Sequence, residues 1–244
     1  VISVPNCHPH DAALQDDRPG AAEAQWIAVL NGDVDNHHDL GNTLLAAHQR
    51  RIDPAITTDA KIIPLACRFV DPSMDRRTTL DVFRSAIRRL DGSMAIATLN
   101  AAHPGEALIA QKGSGQGMHL ALVADGWMFA SEVYGLASLT RRAYDLTCDV
   151  YGGAVSRVRA NEATVEVRAV GDDSPVAMTE KDIQIFARDI YRGGFETFLE
   201  KEIHEAPRSV AKTLRGRYRH EGDQIRFDGL PTDIWASLRG FLEG

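Results

Sequence analysis

An apolar segment that runs directly into an Asn-Gly pair is the stretch best suited to catalysis. Residues 26–30 are apolar and have the length of a buried strand, and Asn31 and Gly32 follow them. The side-chain amide of Asn and the backbone N–H of Gly are neutral donors that can be fixed in place to stabilise an oxyanion. The same pair is typical of a plain hairpin or strand-to-helix turn, so its neighbours must distinguish the two interpretations.

Two further segments contain polar residues that suit a binding site. Thr57 and Thr58 precede Asp59, whose carboxylate either binds a cationic group or caps the helix predicted over 60–70. His8 and His10 flank a proline in a predicted loop over residues 1–12. Two histidines do not complete a metal site and no further ligand lies nearby, so we expect no metal.

The cysteines and the glycine-rich loop do not indicate a second chemistry. Cys7 lies in the predicted loop, Cys67 lies among apolar residues of a predicted helix, and Cys148 has no visible activator. We expect none of these three cysteines to act as a catalytic nucleophile. The loop over 112–117 has neither the spacing of a dinucleotide fingerprint nor the ending of a P-loop, so we expect no nucleotide and no cofactor.

Short apolar strands alternate with amphipathic helices, a pattern that predicts a layered α+β fold. Further along the chain, a helix is predicted to open at Ser131-Glu132, and another runs from Phe195 until Pro207 ends it. The predicted strands are 26–30, 94–99, 107–111, 119–123 and 126–130, followed by two within 150–172, and the main helices are 39–49, 60–70 and 78–90.

Composition restricts the class of protein. The chain has 244 residues, 44% of them hydrophobic, and a formal net charge of −7. These values are typical of a globular domain and argue against nucleic acid or a membrane surface as partner. No apolar run has the length of a membrane span, no secretory signal opens the chain, and three widely spaced cysteines suit a reducing cytoplasm.

The order of these motifs resembles the glutaminase domain of the glutamine–fructose-6-phosphate aminotransferase (glucosamine-6-phosphate synthase) family. That family has N-A-H-P-H, then a strand ending in H-N-G-I-I-E-N, then S-E-T-D-T-E-V. The corresponding segments here are N-C-H-P-H at 6–10, L-N-G-D-V-D-N at 30–36 and I-T-T-D-A-K-I at 56–62.

The resemblance continues to the end of the chain at moderate identity. The family segments H-P-D-T-L-L, F-I-A-S-D and Y-M-Q-K-E-I-Y-E-Q-P correspond to residues 103–108, 129–132 and 198–207, and T-L-T-G-R corresponds to 213–217. Glu132 stands where the family has aspartate, which is a departure. An ordered series of gapped matches is more specific than any one motif.

The resemblance implies an N-terminal-nucleophile hydrolase fold, an αββα four-layer sandwich. It also implies a thiol nucleophile at a chain N-terminus that attacks the amide of L-glutamine and releases ammonia through a thioester. Residue by residue, Asn31 and Gly32 match the oxyanion pair, Asp59 matches the aspartate that holds the substrate α-amino group, and His8 matches a residue near the pocket.

The nucleophilic cysteine and the H-T-R-W-A-T segment of the family have no counterpart in this sequence, in which residue 1 is valine. We therefore expect a sandwich that is incomplete at its N-terminus and a chain that is inactive alone, as part of a larger enzyme. The alternatives are a degenerate homologue that acts as a binding or regulatory module and, last, an unrelated α+β hydrolase.

The resemblance also predicts the domain organisation and the partners. Residues 1–217 correspond to the glutaminase-like domain, and 218–244 to a linker toward sugar-isomerase (SIS) domains, with a helix over 234–242. In the family those domains bind a phosphosugar, usually fructose 6-phosphate, and we expect the full enzyme to be a homo-oligomer.

Overall fold

The computed structural model describes residues 3–17, 25–70, 78–146, 152–160, 162–185, 191–216, 218–221, 224–227 and 234. The chain divides into two compact units, Val1–Ile185 and Phe186–Gly244. The predicted boundary after residue 217 stays a prediction. Cys148 and most of the helix predicted over 234–242 lie outside the described residues.

Ten strands of the first unit form two antiparallel sheets. The first sheet has the order β1-β2-β3-β4-β8-β9 and the second has the order β10-β7-β5-β6. The strands of this unit are β1 His10–Asp11, β2 Trp26–Val34, β3 Gly92–Asn100, β4 Glu106–Lys112, β5 His119–Val123, β6 Gly126–Ala130, β7 Arg142–Asp145, β8 Ala154–Arg159, β9 Glu166–Ala169 and β10 Glu180–Asp182.

Three helices pack on one face of the first sheet. They are α1 His37–His48, α2 Ile62–Arg68, which a 3₁₀ helix at Asp59–Lys61 precedes, and α3 Thr79–Arg88. The even-numbered residues of β2 and β3 share a continuous core with these helices; this core includes Leu30, Ile96, Leu44, Ile63 and Phe83. Alternation along the strands thus directs one apolar set to the helices.

A second core lies between the two sheets. Ala95 and Ile109 of the first sheet pack in one cluster with Leu120 of the second. The outer face of the second sheet is covered by the turn that contains Leu136, which packs with Ala121. Two stacked antiparallel sheets with helices outside were predicted from the sequence, and this fold class is confirmed.

The sequence explains why α3 begins at residue 79. The Thr78 hydroxyl accepts a hydrogen bond from the Asp81 N–H, and the Asp81 carboxylate accepts one from the Thr78 N–H. This capping box satisfies two donors that would otherwise have no partner. Leu80, Phe83 and Ile87 then lie on one buried face at helical spacing.

Three local predictions differ from the structure. β2 continues to Val34, so Asn31 and Gly32 lie inside the strand and not in a turn. The helix predicted to open at Ser131-Glu132 is only a 3₁₀ helix, Val133–Gly135. In the second unit, α4 spans Phe198–Leu214 and continues through Pro207, which was predicted to end it. The segment after residue 217 contains the hairpin β11 Tyr218–Glu221 and β12 Gln224–Phe227, and the linker predicted there stays a prediction.

Candidate functional site

Asn31 projects from the face of β2 that turns toward the second sheet. Asn31 pairs with Ala95 of β3, which in turn pairs with Gln111 of β4. Paired residues of adjacent strands point to the same face, and Ala95 belongs to the core between the sheets. The Asn31 side chain is exposed on that face. Its amide is therefore available to a ligand at the end of the sandwich.

Gly32 has a backbone conformation that only glycine adopts without strain. Its φ is +125°, and a Cβ at this position would lie 3.0 Å from Gln116 Cγ and closer still to the carbonyl oxygen of Ser93. The close approach of β3 and of the loop after β4 therefore requires glycine here. This is the physical reason for the Asn-Gly sequence in the interior of a strand.

The Gly32 N–H points away from β3, to the edge of β2 on which β1 pairs with Ile27 and Ala28. N–H groups alternate between the two edges of an antiparallel strand. Asp35 N–H donates to Asp91 O on the β3 side, whereas Val34 N–H donates to the Asp59 carboxylate at 2.8 Å on the other side. The Gly32 N–H points in the same direction as the Val34 N–H, because the two residues are two positions apart and the register of the β2–β3 pair is continuous.

Asp59 is held beside this edge and does not cap its helix. Thr58 is the N-cap of the 3₁₀ helix, and its hydroxyl accepts from the Ala60 N–H. The Asp59 carboxylate accepts from Val34 N–H, two residues beyond Gly32, a separation of about 6.6 Å along a strand. One oxygen of the carboxylate is thus fixed, and the group lies within a short ligand's length of the Gly32 N–H.

The N-terminal loop is joined to the same region. Thr57 N–H donates to Asn6 Oδ1 at 2.8 Å, and Asn6 Nδ2 donates to Thr57 Oγ1 at 2.9 Å. His8 is exposed in this loop, with its ring 5.4 Å from that of His10. Segments 6–10, 31–34 and 57–59, far apart in sequence, therefore meet along one edge of the first sheet.

The glycine-rich loop after β4 forms another wall of the site. The Gln111 amide is nearly buried and donates to the carbonyl oxygens of Gly113 (2.5 Å) and Gln116 (3.1 Å). Gly115 N–H donates to Ser93 Oγ at 2.7 Å. These bonds hold Gln116 against Gly32. The residue spacing of this loop does not fit a nucleotide site, and it predicts no role for Gln111 or Gln116. The position of the loop directly after a predicted strand was the available signal.

The two described cysteines have different surroundings. Burial raises the pKa of the Cys67 thiol far above its usual range, so this thiol stays protonated. Cys7 is exposed, and its thiol donates to Ser3 O. Burial lowers the pKa of His10, whose Nε2 has no hydrogen-bond partner among the described residues.

Metal-ligand clusters and membrane-spanning helices are both absent from the described residues. No group of three or more His, Cys, Asp or Glu side chains within them is arranged to hold a metal ion. No helix in that part of the chain is both long and apolar enough to cross a bilayer.

The fold of the chain is similar to that of a solved structure. The chain aligns with the structure of an allosteric regulatory enzyme of purine biosynthesis with a TM-score of 0.50 and 16% identity, over 69% of this chain and 32% of the other. At this identity the likeness concerns the fold alone. It agrees with the predicted N-terminal-nucleophile hydrolase-like sandwich.

Sequence comparison gives more specific relatives. The chain is 29% identical over 221 residues to the glutamine–fructose-6-phosphate aminotransferase (isomerizing) of Acidithiobacillus ferridurans, which covers 89% of this chain and 32% of that enzyme. It is 28% identical over 247 residues to the enzyme of the same name from Pyrococcus horikoshii, over 96% and 37%. No protein-family model matches. The chain spans about a third of the length of these curated relatives.

Proposed function

We propose that this chain is the glutamine-hydrolysing portion of an enzyme similar to glucosamine-6-phosphate synthase, with the nucleophilic cysteine supplied from outside residues 1–244. One observation carries the proposal. The Gly32 N–H and the Asp59 carboxylate lie along one edge of β2, and the Asn31 amide projects at the same place. The similarity to glutamine–fructose-6-phosphate aminotransferases over most of the chain supports it.

These three residues suit the two ends of glutamine. Attack on the side-chain amide converts its carbonyl oxygen to an oxyanion, which the Asn31 NH₂ and the Gly32 N–H would stabilise. The α-ammonium at the other end would pair with Oδ1 of the Asp59 carboxylate, which also accepts from the Thr58 hydroxyl at 3.3 Å, and this contact would be a charge-assisted hydrogen bond. The loop with His8 borders the region, and we assign no chemical step to His8.

The sandwich has an uncovered side where a further strand would fit. Ile27 and Val29 project from β2 toward the second sheet with 37% and 39% of their surface exposed, and Leu99 of β3 is 52% exposed. β6 is the last strand of the second sheet among the described residues. A cleft of about 310 Å³ separates Leu99 from Trp127 and Phe129 of this edge.

A strand paired with β6 would cover these apolar side chains and fill the cleft. It would also have one end near Asn31, because Ala130 at the end of β6 pairs with His119, which follows the loop of Gln116. A thiol at that end of the strand would reach the substrate amide. This arrangement supports a nucleophile from outside the described chain better than the use of Cys7 or of buried Cys67.

The ammonia acceptor is proposed from the relatives alone. Their name specifies transfer to fructose 6-phosphate, and the chain spans about a third of their length. We propose that SIS domains outside this chain bind the phosphosugar, in a homo-oligomeric enzyme. Residues 218–244 would be the connection to them.

Steady-state kinetics of the natural gene product that contains residues 1–244 tests the proposal. Ammonia release from L-glutamine should be measured for Asn31→Ala and Asp59→Ala. Loss of an oxyanion donor should lower kcat by about 10²–10³ with little change in KM. Loss of the carboxylate should chiefly raise KM. Asp182→Ala, on exposed β10 at the opposite edge of the second sheet from β6, is the matched control and should change neither value.

The isolated 244-residue chain gives the complementary test. It should bind glutamine weakly and release no ammonia above background. Ammonia release that disappears on Cys7→Ala would show that Cys7 is the nucleophile. A gene product that binds no glutamine would contradict the proposal, and one that binds glutamine without hydrolysing it would identify the degenerate homologue.

A further inference from the structure

The loop over 113–117 lies across the end of the sandwich, beside the candidate oxyanion donors. It leaves the first sheet at Lys112, the end of β4, and enters the second sheet at His119, the start of β5. Because it crosses between the sheets, it lies on the inner face of the first sheet. This is the face from which Asn31 projects, since Asn31 pairs with Ala95 of the inter-sheet core.

The loop is built to hold Gln116 in one place. Gln111, on the same cross-strand row as Asn31, donates to two loop carbonyls, and one of these is the carbonyl of Gln116 itself. Gly115 N–H is bonded to Ser93 Oγ. A Cβ at Gly113 would lie 2.8 Å from Gly92 O, and one at Gly115 would lie 2.8 Å from Ser93 Oγ. The glycines therefore permit close packing of the loop on the ends of β2 and β3.

The Gln116 side chain contacts Gly32. Its Cγ lies 3.0 Å from the position that a Gly32 Cβ would take, and its carboxamide begins one bond further on. Ala95 lies between Asn31 and Gln111 on one cross-strand row, and it is small and buried in the inter-sheet core. The amides of Asn31 and Gln116 thus border Gly32 on the same face.

We propose that Gln116 Oε1 accepts a hydrogen bond from the amide N–H of the bound substrate. A substrate carboxamide has an acceptor end and a donor end. Asn31 and Gly32 supply two donors for its oxygen, so its NH₂ group needs an acceptor, and a carboxamide provides one. Gln116 would fix which way the substrate amide faces before attack. This assignment rests on the proposed glutaminase function and adds a contact that the family resemblance does not supply.

Two substitutions of similar side-chain length separate the effect of losing the hydrogen-bond acceptor from the effect of altered packing. Gln116→Met keeps the length of the side chain but removes the oxygen, whereas Gln116→Glu keeps an acceptor oxygen. Ser114→Ala, an exposed position of the same loop, is the matched control. Glutamine affinity is measured by titrating ¹⁵N-labelled 244-residue chain with L-glutamine and following backbone and side-chain amide resonances. Thermal unfolding of each variant reports whether the loop remains intact.

We expect Gln116→Met to weaken glutamine binding about fivefold to tenfold, the loss of one hydrogen bond. Gln116→Glu should stay within about threefold of the wild type and Ser114→Ala within twofold, with all three variants folded. In the wild type, glutamine should shift the Gln116 side-chain NH₂ resonances, identified by their absence in Gln116→Met.

Two results would overturn the assignment in different ways. In the first, glutamine shifts the amide resonances of Asn31 and Gly32 but not those of the Gln116 side chain, and Gln116→Met binds glutamine as well as the wild type. Gln116 then makes no substrate contact, while the proposed function stands. If glutamine shifts none of these resonances at any concentration, the proposed function fails, and the role of Gln116 fails with it.

Discussion

Replacement of Gly32 by alanine measures what the candidate oxyanion site demands of the backbone. At φ of +125° an L-residue is strained, at a cost of about 1–3 kcal/mol. The new Cβ would also lie 3.0 Å from Gln116 Cγ and from Met94 Cα, and closer to Ser93 O. Since two of these atoms belong to the β3 backbone, the strand must shift, which adds about 1–3 kcal/mol. We expect a total loss of about 4 kcal/mol in the free energy of unfolding.

Gly126→Ala is a control matched in backbone conformation. Gly126 has φ of +127°, and a Cβ there would meet no atom of the described residues within 4 Å. This variant therefore experiences the backbone strain without the collision, so its loss should be about 2 kcal/mol. The difference between the two variants isolates the close approach of β3 and the Gln116 loop to Gly32.

Equilibrium urea unfolding followed by circular dichroism supplies both values, provided that the slope against denaturant is the same for each variant. Gly32→Ala should lie below Gly126→Ala by about 2 kcal/mol, roughly a thirtyfold difference in the unfolding equilibrium. Equal losses would refute the argument, because they would mean that the loop and β3 do not pack against Gly32 in solution.

Two further predictions concern the Asp17 carboxyl and the thiols of Cys7 and Cys67. The Asp17 side chain is 7% exposed, and hydrogen bonds from Arg68 hold the pKa of its carboxyl well below the usual value. The ionised carboxylate therefore stabilises the folded state above about pH 4, and this contribution is lost as the pH falls below that. Asp17→Asn should therefore lower the free energy of unfolding by about 3 kcal/mol at pH 7, and this difference should narrow as unfolding is measured at more acid pH. Exposed Cys7 should react with a thiol reagent in the native protein, whereas buried Cys67 should react only after unfolding, which peptide mass mapping would detect; early labelling of Cys67 would contradict its burial.

Periodicity predicted the layers of the fold well. Helix 78–90 follows directly from apolar spacing and appears close to its predicted limits, and strand 26–30 begins at its predicted residue but continues to Val34. Asn31-Gly32 was predicted as a break because this dipeptide favours turns. The strand continues because β3 pairs with it on one side, and because Gly32 adopts a positive φ without leaving the register. A long-range pairing thus overrides a local preference.

The contacts that assemble the candidate site are likewise long-range. Asp59 binds Val34 N–H across 25 positions, and Asn6 pairs with Thr57 across 51. The residue types of Asn31, Gly32 and Asp59 indicated oxyanion stabilisation and cation binding. Their proximity depends on the pairing of β2 and on the contact of Asp59 with it, which the sequence pattern does not predict. Gln111 and Gln116 went unnoticed because an amide in a glycine-rich loop has no characteristic spacing, and its importance depends on the strand end beside which it lies.

The uncovered edge beside β6 has a consequence for the chain on its own. Within the described residues, β6 is an edge strand near exposed Ile27, Val29 and Leu99, and such an edge is a template for strand pairing with another molecule. Self-assembly and the proposed completion of the sandwich would compete for the same surface. A strand that pairs with β6 would therefore protect the sheet from aggregation. The strand proposed to supply the reactive thiol would have this second effect.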